Sequence, residues 1–254
     1  MSELLNYKLR GEGATIVLIH GLFGNLDNLG LLGRDLEKDH QVLSMDLRNH
    51  GLSFHSDEHT YQVMANDIHQ LITFLGLTKV TLVGHSMGGK VAMTLASEHP
   101  EYVNKLVVLD MAPVAYTERK HDNVFAGLHA VLSNPPANRI EATRSLAKHI
   151  EMDGVIQFLG KSLYRSEIGL TWRFNVESIS DNYWNILGWE IISKIDIPTL
   201  FLKGADSDYL TQEHQIQVQA QFSNAKAHVI ANTGHWLHAE KPQEVLRAVK
   251  RFID

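Results

Sequence analysis

The 254-residue chain contains no cysteine. That single absence removes disulfides, thiolate zinc sites, iron–sulfur ligation and a cysteine nucleophile together. Positive charge is also short: 23 Lys and Arg stand against 29 Asp and Glu, a formal charge of -6 with histidine neutral. Proteins that grip nucleic acid by neutralising phosphates carry clustered basic charge, so no nucleic-acid partner is expected. No apolar run approaches the ~20 residues that span a bilayer, and no integral membrane segment is expected. Residues 1–13 lack a basic stretch followed by an apolar one, so no secretory signal is expected there. These absences lead to the expectation of a soluble protein of a reducing compartment, the cytoplasm.

What is present is ordinary globular composition, with 44% hydrophobic and 20% charged residues. The length exceeds the ~100–200 residues of a typical domain, which suggests one large domain or a domain with an insertion. Residues 14–20 (ATIVLIH) form a β-branched run, apolar at consecutive positions and too short for a helix, as in a strand covered on both faces. Residues 41–45, 79–83 and 105–109 read the same way. Between them Met64, Ile68, Leu71, Ile72 and Leu75 recur at helical spacing and stop at Gly76, a C-cap. Strand and helix alternating at this pitch imply right-handed crossovers and a parallel sheet. After Asp110 the rhythm breaks: residues 114–192 hold helical stretches, a Pro135-Pro136 break and three of the four tryptophans, Trp172, Trp184 and Trp189. The α/β pattern resumes at Pro198, with strands over 199–203 and 227–230 and a helix over 211–221. A final helix from Pro242 presents Val245, Leu246, Val249 and Phe252 on one face. The expected division is a core over 1–113 and 193–254, interrupted by a helical insertion over 114–192.

Gly84-His85-Ser86-Met87-Gly88 follows the strand at 79–83 directly and opens into a helical stretch at 90–97. A serine on a sharp strand-to-helix turn, with glycines where the backbone passes closely, is the context of a nucleophile elbow. A seryl hydroxyl is a weak nucleophile at neutral pH and needs a base. Of 15 histidines, His235 sits in a short loop between the last strand and the last helix, on the edge where strand C-termini gather ligands. His238 reads as a packing or capping residue and His85 as loop packing. His20 and His50 read as braces for the pocket loops, and His69, His99, His149 and His214 as solvated helix residues.

Four segments carry a family resemblance: His20-Gly21-Leu22-Phe23-Gly24, the run 46–53 (DLRNHGLS), GHSMGG at 84–89 and Gly234-His235-Trp236. In this order they resemble the α/β-hydrolase superfamily, and within it a group of small bacterial esterases with relatives among mitochondrial hydrolases. The resemblance implies a mostly parallel sheet flanked by helices with a helical cap, and a serine nucleophile working without cofactor or metal. It also implies an oxyanion hole made by the backbone N–H groups of Leu22 and Met87. The superfamily usually places the triad acid after the strand at 199–203, where this chain reads Gly204-Ala205-Asp206-Ser207-Asp208 with Ser207 in the acid slot. Some members carry the acid at the end of the preceding strand, here Asp110. An ionisable group after four apolar strand residues is costly without a partner, which favours Asp110, with Ser207 as a hydrogen-bonding auxiliary. Asp206 follows as a candidate and Asp208 comes last. Asp46 and Arg48 are expected to pair beneath the site.

Phe125, Phe158, Trp172, Phe174, Trp184 and Trp189 would give a cap an apolar underside, although a small core within the cap is the more economical role for most of them. Eight Lys and Arg against nine Asp and Glu between residues 115 and 190 offer no net basic field for a phosphorylated carrier such as coenzyme A. The expected function is a serine carboxylesterase acting on small or acyl-chain esters through an acyl-serine intermediate, with acyl-CoA thioesters as a further substrate class. The alternatives are a C–C bond or lactone hydrolase on the same triad, and a non-catalytic ligand-binding homologue. The sequence assigns no oligomeric state.

Overall fold

The computed structural model describes residues 3–254. Its centre is a sheet of seven strands: β1 (Tyr7–Arg10), β2 (Thr15–Ile19), β3 (Gln41–Met45), β4 (Val80–His85), β5 (Val103–Leu109), β8 (Thr199–Gly204) and β9 (Ala225–Ile230). Their order is β1-β3-β2-β4-β5-β8-β9. Only β1 runs antiparallel to its neighbour; every other pairing is parallel. β2 is buried along its whole length, which explains its uninterrupted apolar sequence. Four helices cover the two faces: α1 (Gly30–Leu36) and α11 (Pro242–Ile253) on one, α2 (Tyr61–Phe74) and α3 (Met87–Glu98) on the other. α2 starts on a Thr60 side chain that accepts the Val63 N–H, and Gly76 follows it with φ +66°.

Between β5 and β8 come α4 (Asp122–Ser133), α5 (Arg139–Leu146), α6 (Asp153–Gly160), a hairpin of β6 (Leu163–Ser166) and β7 (Gly169–Trp172), α7 (Val176–Asp181) and α8 (Tyr183–Leu187). α9 (Gln215–Gln221) lies between β8 and β9, and α10 (Leu237–Glu240) precedes α11. The hairpin was not expected in a segment read as helical. Leu163-Tyr164-Arg165-Ser166 carries no apolar run, and its pairing is completed by β7 rather than signalled locally. β1 escaped notice for a related reason: it is a four-residue edge strand whose exposure alternates. No helix among the described residues is long and apolar enough to cross a membrane.

The order β3-β2-β4 places the chain reversal at β2, so the loop leaving β2 lies beside the one leaving β4. In open α/β sheets this switch point, at the strand C-termini, is where ligands bind. The loops leaving β5, β8 and β9 open on the same edge. All four motif segments therefore converge on one end of the sheet.

Candidate active site

Ser86 lies between β4 and α3 with φ +54° and ψ −122°, a conformation that L-residues adopt only when their surroundings enforce it. Its N–H donates to the Leu109 carbonyl at 3.1 Å, while its own carbonyl accepts from Gly89 N–H at 2.8 Å. A Cβ on Gly84 would stand 2.2 Å from the Gly88 carbonyl oxygen, and one on Gly88 would stand 2.4 Å from the Ile19 and His20 carbonyl oxygens. Both glycines are there because backbone passes against backbone. The helix begins at Met87, three residues before the expected stretch, and β4 runs on through Gly84 and His85. The glycine-rich run is thus helix rather than loop. Met87 is its first residue, where the leading N–H groups have no intrahelical acceptor. Gly21 approaches from the β2 loop, where a Cβ would lie 3.3 Å from Ser86 Cβ. Leu22 follows it.

Ser86 Oγ–H donates to His235 Nε2 at 2.9 Å, and His235 Nδ1–H donates to Asp110 Oδ2 at 2.7 Å. The Asp110 side chain is fully buried, whereas that of His235 keeps 22% exposure. Asp110 directly follows β5 with φ +53°. Its Oδ1 accepts Gly204 N–H at 2.9 Å, and Ser207 Oγ–H donates to its Oδ2. A buried carboxylate is tolerable only with such partners. Asp206 and Asp208 are exposed on the same turn, and Asp208 is ion-paired to Lys120. The structure thus brings Ser86, His235, Asp110 and Ser207 together and leaves both other aspartates outside. Among the described residues, no group of three or more His, Asp or Glu is placed to hold a metal.

The neighbouring histidines serve as struts. His20 Nε2 accepts Leu47 N–H, and His50 Nε2 accepts Phe23 N–H, each at 3.1 Å. Burial pushes His20 down to about 4 and His50 to about 3, so both act as neutral acceptors. His85 does more than pack. Its Nε2–H donates to the His235 carbonyl at 2.9 Å, which ties the histidine loop to the elbow. Sequence reasoning missed this contact because it spans 150 positions. His238 packs against His85 with its ring tilted by 60° and the centroids 4.2 Å apart, and burial holds it at about 4. Asp46 and Arg48 do not pair. Arg48 makes a bidentate bond to Asp67 on α2 at 2.6 and 2.8 Å, while Asp46 accepts Leu26 N–H, Leu52 N–H and Asn6 Nδ2–H. The two side chains serve different layers, since Asp46 gathers loop N–H groups and Arg48 reaches a helix.

The aromatics of residues 114–192 pack partly on one another, Phe125 against Tyr183 at 4.9 Å among them, and partly on the sheet's loops. Phe125 and Phe174 pack on Phe23 of the β2 loop at 5.5 and 5.2 Å, and Trp172 stacks on Phe174. Phe158 meets Trp236, and Trp189 meets Tyr61. Trp184 is 59% exposed and joins no core. Lys90 on α3 is fully buried. Its ammonium donates to the carbonyls of Leu187 and Gly188 at 3.3 and 2.9 Å, and lies 4.7–5.6 Å from the ring centroids of Tyr61, Tyr116 and Trp189. Burial lowers it to about 7.

A serine hydroxyl, an imidazole and a buried carboxylate are thus joined in series at the C-terminal edge of a mostly parallel sheet. The chain belongs to the α/β hydrolase fold family, whose model matches residues 14–242. It is 46% identical to the esterase YbfF of Escherichia coli K12 over 96% of this chain and 94% of that protein. It is 35% identical to a mouse protein named sn-1-specific diacylglycerol lipase ABHD11, over 98% of this chain and 85% of that one. The solved structure of a marine microorganism esterase superposes with a TM-score of 0.93 at 36% identity, covering 99% of this chain and all of that one.

Proposed function

We propose that this protein is a serine esterase in which Ser86 is the nucleophile, His235 the general base and acid, and Asp110 the carboxylate that orients and stabilises the imidazolium. The observation that carries this reading is the unbroken hydrogen-bonded series from Ser86 Oγ through His235 to Asp110. Ser86 attacks the ester carbonyl carbon as its proton passes to His235 Nε2. The oxyanion of the tetrahedral intermediate is received by the N–H groups of Leu22 and Met87, whose loss would each cost about 10²–10³ in turnover. His235 then protonates the departing alkoxide, leaving an acyl-Ser86. Water, deprotonated by the same imidazole, releases the acid and restores the hydroxyl.

Residues 114–192 act as the cap in this reading. The aromatic cluster of Phe23, Phe125 and Phe174 lies beside Leu22 and suits the acyl part of the substrate. The relatives named esterases and diacylglycerol lipases support carboxylic esters of this kind. Acyl-CoA thioesters belong in the same assay because the same attack opens them. Arg119 and Lys120 are already paired, with Asp122 and Asp208, and so are poorly disposed to take a phosphate. A cytoplasmic setting, consistent with the absence of cysteine, completes the reading.

A fluorophosphonate probe tests the assignment. It should label wild type at Ser86 and leave Ser86→Ala unlabelled, and the same substitution should abolish turnover of p-nitrophenyl esters. Equal labelling or equal turnover of the two proteins would overturn the assignment.

A further inference from the structure

The turn after β8 contributes more than the Ser207 hydroxyl. The Tyr209 ring lies flat on the imidazole of His235, with centroids 3.9 Å apart and planes inclined at 24°. Its backbone is fixed at both ends: Tyr209 N–H donates to Ser207 Oγ at 3.2 Å, and its carbonyl accepts from Tyr116 Oη at 2.5 Å. The same Ser207 oxygen donates to Asp110. One short turn therefore supports both the acid and the base. A face-on ring leaves the in-plane directions of the imidazole free, and those are the directions used toward Ser86 and Asp110.

We propose that Tyr209 is a positioning residue for the reaction. Its ring face holds the His235 imidazole in the plane that reaches both Ser86 and Asp110, and its π-electrons stabilise the imidazolium that forms as Ser86 attacks. The inference rests on the triad reading above. A cation within ~6 Å of an aromatic centroid is attracted by the ring quadrupole, whereas neutral imidazole gains much less. The stabilisation thus grows as the proton arrives, and an interaction stronger in the transition state than in the ground state raises kcat.

The other charged and titratable groups around the imidazole do not duplicate this effect. Asp110 meets the imidazole at Nδ1 rather than on its face. His85, at the end of β4, and His238, on α10, are held neutral by burial, His238 at about 4. His121, before α4, is likewise held at about 4 by burial. The Lys120 ammonium lies 5.2 Å from the Tyr209 centroid, and its charge is balanced by Asp208. Burial keeps the Tyr209 phenol up at about 12, so the ring stays uncharged across the working range.

The test is kcat and kcat/KM for p-nitrophenyl acetate between about pH 5 and about pH 9, measured on the whole 254-residue chain. The variants are Tyr209→Phe and phenylalanines with increasing ring fluorination at position 209. Fluorine withdraws π-density while the ring keeps its shape, so folding is preserved across the series. Tyr209→Phe should stay within about two-fold of wild type. The fluorinated series should lose about 2- to 30-fold in steps, through kcat, and move the acid limb of the profile down by about 0.4–1.5 pH units. A profile indifferent to fluorination overturns the proposal, as does a Tyr209→Phe loss equal to that of the most fluorinated ring. Fluorophosphonate labelling of the same preparations separates the two readings. Labelled protein with an unmoved profile overturns the role of Tyr209 alone, whereas unlabelled wild type overturns the triad and this inference with it.

Discussion

Asp110→Asn is the most informative single substitution, because the atoms around the carboxylate allow no comfortable amide. Oδ1 faces the Gly204 N–H, and Oδ2 faces both the Ser207 hydroxyl and His235 Nδ1–H. Each neighbour is a donor. If the amide NH2 takes the Oδ1 side, it meets the Gly204 N–H and leaves a buried donor unpaired, at about 1–3 kcal/mol. If it takes the Oδ2 side, it donates to His235 Nδ1, which drives the ring proton to Nε2, where it can no longer accept from Ser86. In both cases the negative charge that stabilises the imidazolium is lost. A wrong tautomer together with a lost charge corresponds to about 10⁴ in kcat, roughly 5 kcal/mol of transition-state stabilisation.

Ser207→Ala removes one hydrogen bond to a buried charge, about 1.5–3 kcal/mol, and should reduce kcat about 10- to 100-fold. Asp206→Asn, on the exposed face of the turn, should remain within about two-fold. The assay is p-nitrophenyl ester turnover by purified proteins whose thermal unfolding matches wild type. If Asp110→Asn retained activity within about ten-fold of wild type while Asp206→Asn or Asp208→Asn lost it, the carboxylate assignment and the reasoning behind it would be wrong.

Lys90→Met tests the buried ammonium. Burial lowers the folded-state value from 10.5 to about 7, so the unfolded chain binds more protons between those limits and wild-type stability rises with pH there. Relative to Lys90→Met, urea unfolding should show wild type gaining roughly 3 kcal/mol from about pH 7 to about pH 10, and a pH-independent difference would refute the account. Gly88→Ala places a Cβ against the Ile19 and His20 carbonyls at 2.4 Å. It should destabilise the fold by about 1–3 kcal/mol in denaturant titration and reduce ester turnover more than ten-fold by displacing the loop that carries Leu22.

Much of the scaffold was legible because its strands are buried on both faces. β2, most of β4 and the last four residues of β5 are buried and largely apolar, since little in them meets water. Elements without that signature stayed hidden. β1 is short and half-exposed, and the β6–β7 hairpin depends on pairing between two weakly apolar segments. The early start of α3 was concealed by glycines that locally disfavour helix and are required by close backbone approach at Gly84 and Gly88. At the site, the spacing of GHSMG and the apolar strand before Asp110 pointed to particular side chains. Contacts reaching across the chain could not be read that way, among them His85 to the His235 carbonyl, Arg48 to Asp67 and Tyr209 on His235.

The linear chain on its own determined the alternation of strand and helix, the strained turn at Ser86 and the chemical inventory of hydroxyl, imidazole and carboxylate, because these follow from local periodicity and residue type. The apolar strand before Asp110 favoured it over Asp206 and Asp208, but which groups meet its carboxylate was decided only by tertiary structure. The parallel registry of β5 with β8 carries Asp110 beneath the turn that holds Ser207 and Gly204, while its two rivals face water. Burial and hydrogen-bond supply are properties of the folded neighbourhood, and the preference that the apolar strand gives Asp110 becomes a full set of donors only once two strands are laid side by side.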